Sequence, residues 1–171
     1  MWQGVRSTCV EKGPGAGGRS AVPTRYRGPM AISLDDAFAF VRRHNRGVLV
    51  TLRSNGRPQL SNILFIPGSD HSVRISVTEG RAKTKNLRRD PRASLHVARD
   101  DFFAYVVLDG DAALSPVAQT VDDPVVGELV EMYRLAQGEH PDWDEYRQAM
   151  VSDRRVVLTL SATNAYGMLG G

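Results

Sequence analysis

The stretch Val73-Arg74-Ile75-Ser76-Val77-Thr78-Glu79-Gly80-Arg81-Ala82-Lys83-Thr84-Lys85-Asn86-Leu87-Arg88-Arg89-Asp90-Pro91 changes its period in mid-course. Up to Thr78, apolar and polar residues alternate, which sends them to opposite faces of a strand. After Glu79-Gly80 a helix is predicted over about 81–89. Asp90-Pro91 stops it, because the residue before a proline avoids the α region. Between positions 81 and 92, six cationic side chains (Arg81, Lys83, Lys85, Arg88, Arg89 and Arg92) face Asp90 alone. Cations at a helix N-terminus oppose the macrodipole and cost about a few tenths of a kcal/mol each unless an anion is present. Free N–H groups at that end, the Thr84 hydroxyl, the forked Arg81 guanidinium and the Lys83 ammonium are donors that suit a phosphate. A solvated charged helix is the competing reading; the position of the charges favours the anion site.

The surrounding sequence supplies more strands. Upstream, Gly47 to Arg53 reads as a strand and Leu60 to Ile66 as its return. Asn55-Gly56 between them predicts a two-residue hairpin with both turn residues at positive φ. Before them, Ser33 caps a helix over about 34–44, with Leu34, Phe38 and Val41 on one face. Downstream, Ala93 to Val97 and Phe102 to Leu114 are strands, the second bent at Gly110. Asp122-Asp123-Pro124 opens a helix that ends at Gly138. Pro141 opens a shorter helix carrying Trp143, Tyr146 and Met150, and Val156 to Leu160 is the last strand. Six strands joined mainly by tight turns, with helices inserted after the third and the fifth, predict an α+β chain on a closed or nearly closed β-barrel.

Composition narrows the function. The chain has 171 residues, 42% hydrophobic and 24% charged, as in ordinary globular proteins. No apolar run approaches the ~20 residues of a membrane span, so no membrane association is expected. Cys9 is the sole cysteine, which excludes an internal disulfide and suits a reducing cytoplasm. The net charge of +3 is uneven. Residues 1–29 hold five basic residues against Glu11, a net of +4, and the remainder holds seventeen basic against eighteen acidic residues, a net of −1. A net-acidic body lacks the cationic track that nucleic acid needs. With six glycines, three prolines and no regular period, residues 1–29 are expected to be a disordered extension before a single domain at 30–171, with Met30 a candidate native start. The four histidines have no metal-ligand spacing, and no Gly-x-Ser-x-Gly elbow occurs.

Three blocks, in order, carry a resemblance. They are Gly56-Arg57-Pro58-Gln59-Leu60-Ser61-Asn62, then Arg81 through Ala93, then Glu139-His140-Pro141-Asp142-Trp143-Asp144-Glu145-Tyr146-Arg147-Gln148-Ala149-Met150 with Asp153-Arg154-Arg155-Val156. Over roughly 35–168 the chain resembles the pyridoxamine-phosphate-oxidase-like split-barrel superfamily, and within it the actinobacterial coenzyme F420-dependent flavin/deazaflavin oxidoreductases. The resemblance implies a six-stranded, FMN-binding-like split barrel that forms a homodimer, with coenzyme sites at the interface. It implies that Arg81, Lys83 and Thr84 bind the coenzyme phosphate, with Lys85 and Asn86 close by. Ser76, Val77 and Thr78 would run beside the ring through backbone groups, or be an ordinary barrel strand. Gln59, Ser61 and Asn62 would meet the ring edge, or form an exposed strand face. Phe103 and Tyr105 would shape the pocket from the second subunit, or belong to core or interface.

The implied activity is hydride transfer between reduced F420 and a small electron-poor acceptor. An FMN-dependent oxidase or reductase and a non-catalytic F420-binding protein are the alternatives. True pyridoxamine phosphate oxidases carry an Arg-x-Val-Leu-Leu-Lys strand, which the second and third strands here lack, so vitamin B6 oxidation is not implied. Surplus cations such as Lys85, Arg88 and Arg89 favour F420, whose phosphate is followed by an oligoglutamate tail. The coenzyme itself does the chemistry, and any proton donor is Tyr105, a serine or water.

Overall fold

The computed structural model describes residues 30–170; the expected disorder of 1–29 concerns residues outside that range. In chain order the elements are β1 (Met30–Ala31), α1 (Leu34–Val41), β2 (Arg46–Leu52), β3 (Pro58–Leu64), β4 (Ile66–Pro67) and β5 (Ser72–Thr78). They continue as α2 (Ala82–Arg89), β6 (Arg92–Ala98), β7 (Tyr105–Leu114), α3 (Pro124–Gln137), α4 (Trp143–Ser152) and β8 (Arg155–Met168). The described strands form one antiparallel sheet in the order β3-β2-β6-β7-β8-β5-β4, with β1 on β8.

Alternation decides which side of each strand is buried. Val73, Ile75 and Val77 of β5, Leu95 and Val97 of β6, Val106 and Leu108 of β7 and Leu158 and Leu160 of β8 share one interior cluster with Leu49 and Phe65. Phe38 and Val41 of α1 fill the same interior, so the sheet curls around a single core. A second cluster lies outside the sheet, where Val126, Leu129 and Met132 of α3 and Met150 of α4 pack on Val157 of β8.

The prediction of six strands and a nearly closed barrel needs correction. All six long strands are present, but β1 and β4 are added as two-residue pieces. No ladder joins β3 to β5 among the described residues, although the two strands approach each other. The barrel is therefore open along one seam.

Local differences have physical causes. The 53–57 hairpin bonds Gly56 N–H to Arg53 O and Arg53 N–H to Arg57 O, with Gly56 at φ 78° and Asn55 outside the left-handed region. This is a three-residue loop with a glycine bulge, the next most common solution to the two-residue turn predicted. Asp123 occupies the N-cap of α3 without a side-chain capping bond; its carboxylate instead accepts from Gln119 N–H, Thr120 N–H and the Thr120 hydroxyl. β8 runs to Met168, well past Leu160, because β7 pairs along its whole length and β1 pairs near its end.

The bend expected at Gly110 is a register shift between Asp109 and Gly110. A Cβ built on Gly110 would lie 1.9 Å from the Ser161 carbonyl oxygen. Gly110→Ala should destabilise the fold by about 1–3 kcal/mol, read as a lowered urea midpoint at unchanged slope.

Candidate functional site

The N-terminus of α2 is left without a side-chain cap. Arg81 occupies the cap position in extended conformation, and its side chain makes no capping bond. The earliest α2 amide bonded to a backbone carbonyl ahead of the helix is Lys85 N–H, to Arg81 O, so the amides of Ala82, Lys83 and Thr84 make no intrahelical bond. Two contacts seat this end on the sheet: Arg81 N–H donates to Thr78 O, and the fully buried Thr84 hydroxyl donates to the same oxygen at 2.8 Å. The Thr84 hydroxyl proton is thus used internally, and the whole residue is buried.

Six cations in sequence reduce to four with no carboxylate partner, and one of these, Arg89, is taken up by neutral acceptors. Arg88 makes a two-point pair with Glu79 at 2.8 and 2.6 Å, and Arg92 makes one with Asp90 at 2.9 and 2.7 Å. The Arg88 bond holds the Glu79 carboxyl below its ordinary range, and Arg92 lowers Asp90 to about 2. Arg89 donates to Leu52 O and Asn86 Oδ1. Among the described residues Arg81, Lys83 and Lys85 form no salt bridge. The surplus charge that favoured an oligoglutamate tail therefore shrinks, since Arg88 and Arg89 are both engaged within the chain.

Behind the helix end lies a cleft of about 360 Å³ at the seam between β3 and β5. Asn62 to Ile66, Ser76 and Lys83 form one wall, and Leu129, Met132, Tyr133, Tyr146 and Met150 of α3 and α4 form the other. Arg155 closes the cationic end; it is the ladder partner of Thr78 and is held by Asp153 at 2.9 Å. The wall of α3 and α4 is braced by Tyr133, His140, Trp143 and Tyr146, packed with ring centroids 5.0 to 5.8 Å apart. Tyr146 donates to Leu129 O, and burial pushes its phenol up. Burial pushes the Lys83 amine down, and the Arg81 and Arg155 charges add to the effect.

The predicted residues divide into four groups. Ser76, Lys83 and Asn62 line the cleft, while Arg81 and Lys85 are exposed and Thr84 is buried at the start of α2, none of the three lining it. Val77 is buried in the core and offers only its backbone. β4 pairs with Val73 and Arg74 only, so the β5 edge at Ser76–Thr78 carries no neighbouring strand, although Val77 itself is buried. Gln59, Ser61 and Asn86 form an internal network. Asn86 Nδ2 donates to Thr51 Oγ1 at 3.0 Å and Gln59 Oε1 at 3.1 Å, and Gln59 Nε2 donates to Ser61 Oγ at 2.8 Å. These three position α2 on the β2–β3 hairpin. Phe103 and Tyr105 do not line this cleft. Phe103 is exposed, and Tyr105 lies on the outer sheet face beside His96.

Reading by residue missed Arg155 and the α3–α4 wall. The signal lay in the doublet Arg154-Arg155: Arg154 adopts φ 54°, and its carbonyl accepts Glu79 N–H, which locks the α4–β8 turn against the α2 entrance. The arrangement can hold a phosphate at the helix end and a flat, largely apolar body in the cleft beside it. Among the described residues no group of three His, Cys, Asp or Glu could hold a metal ion, and no helix is long and apolar enough to cross a membrane.

Solved structures share this fold. The conserved hypothetical protein Rv2991 from Mycobacterium tuberculosis aligns at a TM-score of 0.63 and 23% identity, over 85% of this chain and 89% of that one. A protein named F420 Reductase aligns at 0.58 and 20% identity, over 74% and 93%. HutZ, the heme storage protein from Vibrio cholerae, aligns at 0.58 and 14% identity, over 79% and 95%. Such identities establish the architecture, and the names show that it serves more than one purpose. The sequence profile described as Pyridoxamine 5'-phosphate oxidase matches residues 34–168, from the first residue of α1 to the last of β8, and the chain therefore belongs to that family.

Proposed function

We propose that the protein is a coenzyme F420-dependent oxidoreductase that passes hydride between the reduced deazaflavin and a small electron-poor organic acceptor. The observation that carries this reading is the pairing of an uncapped, cationic helix N-terminus with an apolar cleft directly behind it. Arg81 and Lys83, with the amides of Ala82 and Lys83 and with Lys85 close by, would hold the phosphate, on a helix end seated by Thr84. The free β5 edge at Ser76–Thr78 and the cleft walls would hold and orient the ring and exclude water. The coenzyme supplies the hydride chemistry; this chain supplies binding, orientation and charge. A solved protein of the same fold bears the name F420 Reductase, which supports the choice of coenzyme.

The site is proposed to be completed by a second copy of the chain. The outer sheet face exposes Leu60 (62%) and Leu64 (56%) beside Val48 and Val50, and the neighbouring turn exposes Phe102 (81%) and Phe103 (76%). Apolar side chains this open, close together on one face, suit a homodimer interface. Phe103 and Tyr105 of the partner subunit would then cover the coenzyme. Tyr105, Ser76 or water would supply a proton.

An FMN-dependent enzyme on the same barrel is the second reading. It is favoured by the internal engagement of Arg88 and Arg89, which leaves fewer charges for a polyanionic tail. Fluorescence titration of the purified chain with F420 and with FMN separates the two. We expect tighter binding of F420, and oxidation of its reduced form by at least one class among enones, quinones and nitro compounds. Tighter FMN binding would select the second reading. F420 binding without turnover across the panel would mark a carrier.

A further inference from the structure

The two walls of the cleft differ in chemistry. The sheet side carries Ser76 and Lys83, which the coenzyme reading uses for ring and phosphate. The helical side is built by α3 and α4, where Leu129, Met132 and Met150 are buried and apolar. Tyr133 stands among them, and its hydroxyl makes no hydrogen bond among the described residues. The other phenol on this wall is committed, since Tyr146 donates to Leu129 O at 3.2 Å. Three rings stand at steep angles to that of Tyr133, with centroids 5.2 Å away for His140, 5.8 Å for Trp143 and 5.0 Å for Tyr146. A phenol hemmed in this way normally finds a partner for its O–H. Here packing fixes the ring and leaves the hydroxyl to whatever enters the cleft. Nearby cations of α3 and α4 are engaged: Arg134 pairs with Glu139 at 3.2 Å over the Trp143 ring, and Arg147 donates to Val121 O. An occupant of this wall is therefore neutral and mainly apolar, with a polar atom for one donor.

We infer that Tyr133 is a catalytic residue: its phenol binds the carbonyl oxygen of a neutral, conjugated acceptor held on the α3–α4 wall and protonates that oxygen as hydride arrives. This rests on the coenzyme reading above, and it moves the proton source from the groups named there to α3. With the ring along Ser76–Thr78, an acceptor against Leu129, Met132 and Met150 lies between the ring and the helices. Hydride from the reduced coenzyme forms a C–H bond at the acceptor's β-carbon. The alkene electron pair moves towards the carbonyl oxygen, where negative charge grows. The Tyr133 O–H bond breaks as its proton passes to that oxygen, and the phenolate takes a proton back from water. The acceptor gains two electrons and the coenzyme loses them; the enol formed relaxes to the saturated ketone. A donor already aimed at the atom where charge develops needs no reorganisation at that moment. General acid catalysis by a positioned group contributes about 10²–10⁴-fold.

The test compares full-length wild type with Tyr133→Phe, which keeps the braced ring and removes only the hydroxyl. Reduced F420, or reduced FMN should wild type prefer it, is the donor under anaerobic conditions. Two acceptors are used: a cyclic enone, which needs a proton on oxygen, and a phenazinium dye, whose cation becomes neutral on taking hydride alone. Tyr133→Phe should lower kcat for the enone about 100-fold. It should reduce the dye at the wild-type rate and bind the oxidised coenzyme as tightly as wild type does. An aryl ketone without a conjugated alkene, titrated calorimetrically into the coenzyme-loaded protein, should bind the variant about fivefold more weakly, the loss of one neutral hydrogen bond. Equal loss with both acceptors, or no loss with either, would overturn the inference. Wild type that reduces the dye and leaves the enone untouched would overturn it as well, with the coenzyme reading intact. Should wild type bind neither coenzyme, that reading fails and takes this inference with it.

Discussion

Arg81→Glu is expected to weaken coenzyme binding by two to three orders of magnitude without harming the fold. Losing a hydrogen bond to a charged group costs about 1.5–3 kcal/mol. Setting a carboxylate against a phosphate adds repulsion, so a total of roughly 3–4 kcal/mol is reasonable, at 1.4 kcal/mol per tenfold. The folded state points the other way. Arg81 is exposed and makes no capping bond, and a carboxylate at a helix N-terminus is favourable by about 0.3–1 kcal/mol. Stability and affinity should therefore separate: thermal melting unchanged or slightly raised, calorimetric affinity collapsed. A variant that binds as tightly as wild type would remove the phosphate from this helix.

The second large effect belongs to the core. Phe38→Ala should lower unfolding free energy by about 3–5 kcal/mol, the range for truncating a buried aromatic. Phe38 is fully buried, and it carries α1 into the barrel interior together with Val41. The His71 ring lies 5.2 Å from it, and that histidine is tied to Asp35 at the start of the same helix by a 2.8 Å contact. The cavity cannot collapse easily, because β7 and β8 beneath are held through ten paired positions. Urea denaturation gives the loss. Phe38 lines no part of the Lys83 cleft, so protein that remains folded should keep its coenzyme affinity.

Most of the architecture could be read from local patterns, for identifiable reasons. Alternation in Val73–Thr78 is strict because only one face is buried, and Gly110 stands where two backbones touch. The features that could not be read depend on long-range partners. Whether a curled sheet closes is a property of β3 and β5 together, and neither strand's own sequence contains it. The reach of β8 past Leu160 follows from its pairing with β7, and a run such as Ser161-Ala162-Thr163-Asn164 carries little strand signal of its own.

The site was half legible for the same reason. Arg81, Lys83 and Lys85 could be picked out by their position at a helix start. That Arg88 would be taken by Glu79, nine residues earlier, and Arg89 by Leu52 O depends on how α2 lies on the sheet. Gln59, Ser61 and Asn86 look like polar ligand contacts in sequence, and the fold uses them to fasten a helix to a hairpin. Arg155 enters only because an α4–β8 turn some seventy residues downstream is bonded to the α2 entrance.

A crystal structure of the protein soaked with its preferred coenzyme would judge the central claim in a single observation. The account predicts phosphate density capping the first turn of α2, bonded to the amides of Ala82 and Lys83 and to the Arg81 and Lys83 side chains, with the ring passing inward along Ser76–Thr78. Phosphate density on any other element, with the Arg81 guanidinium solvated and the seam between β3 and β5 empty, would contradict it.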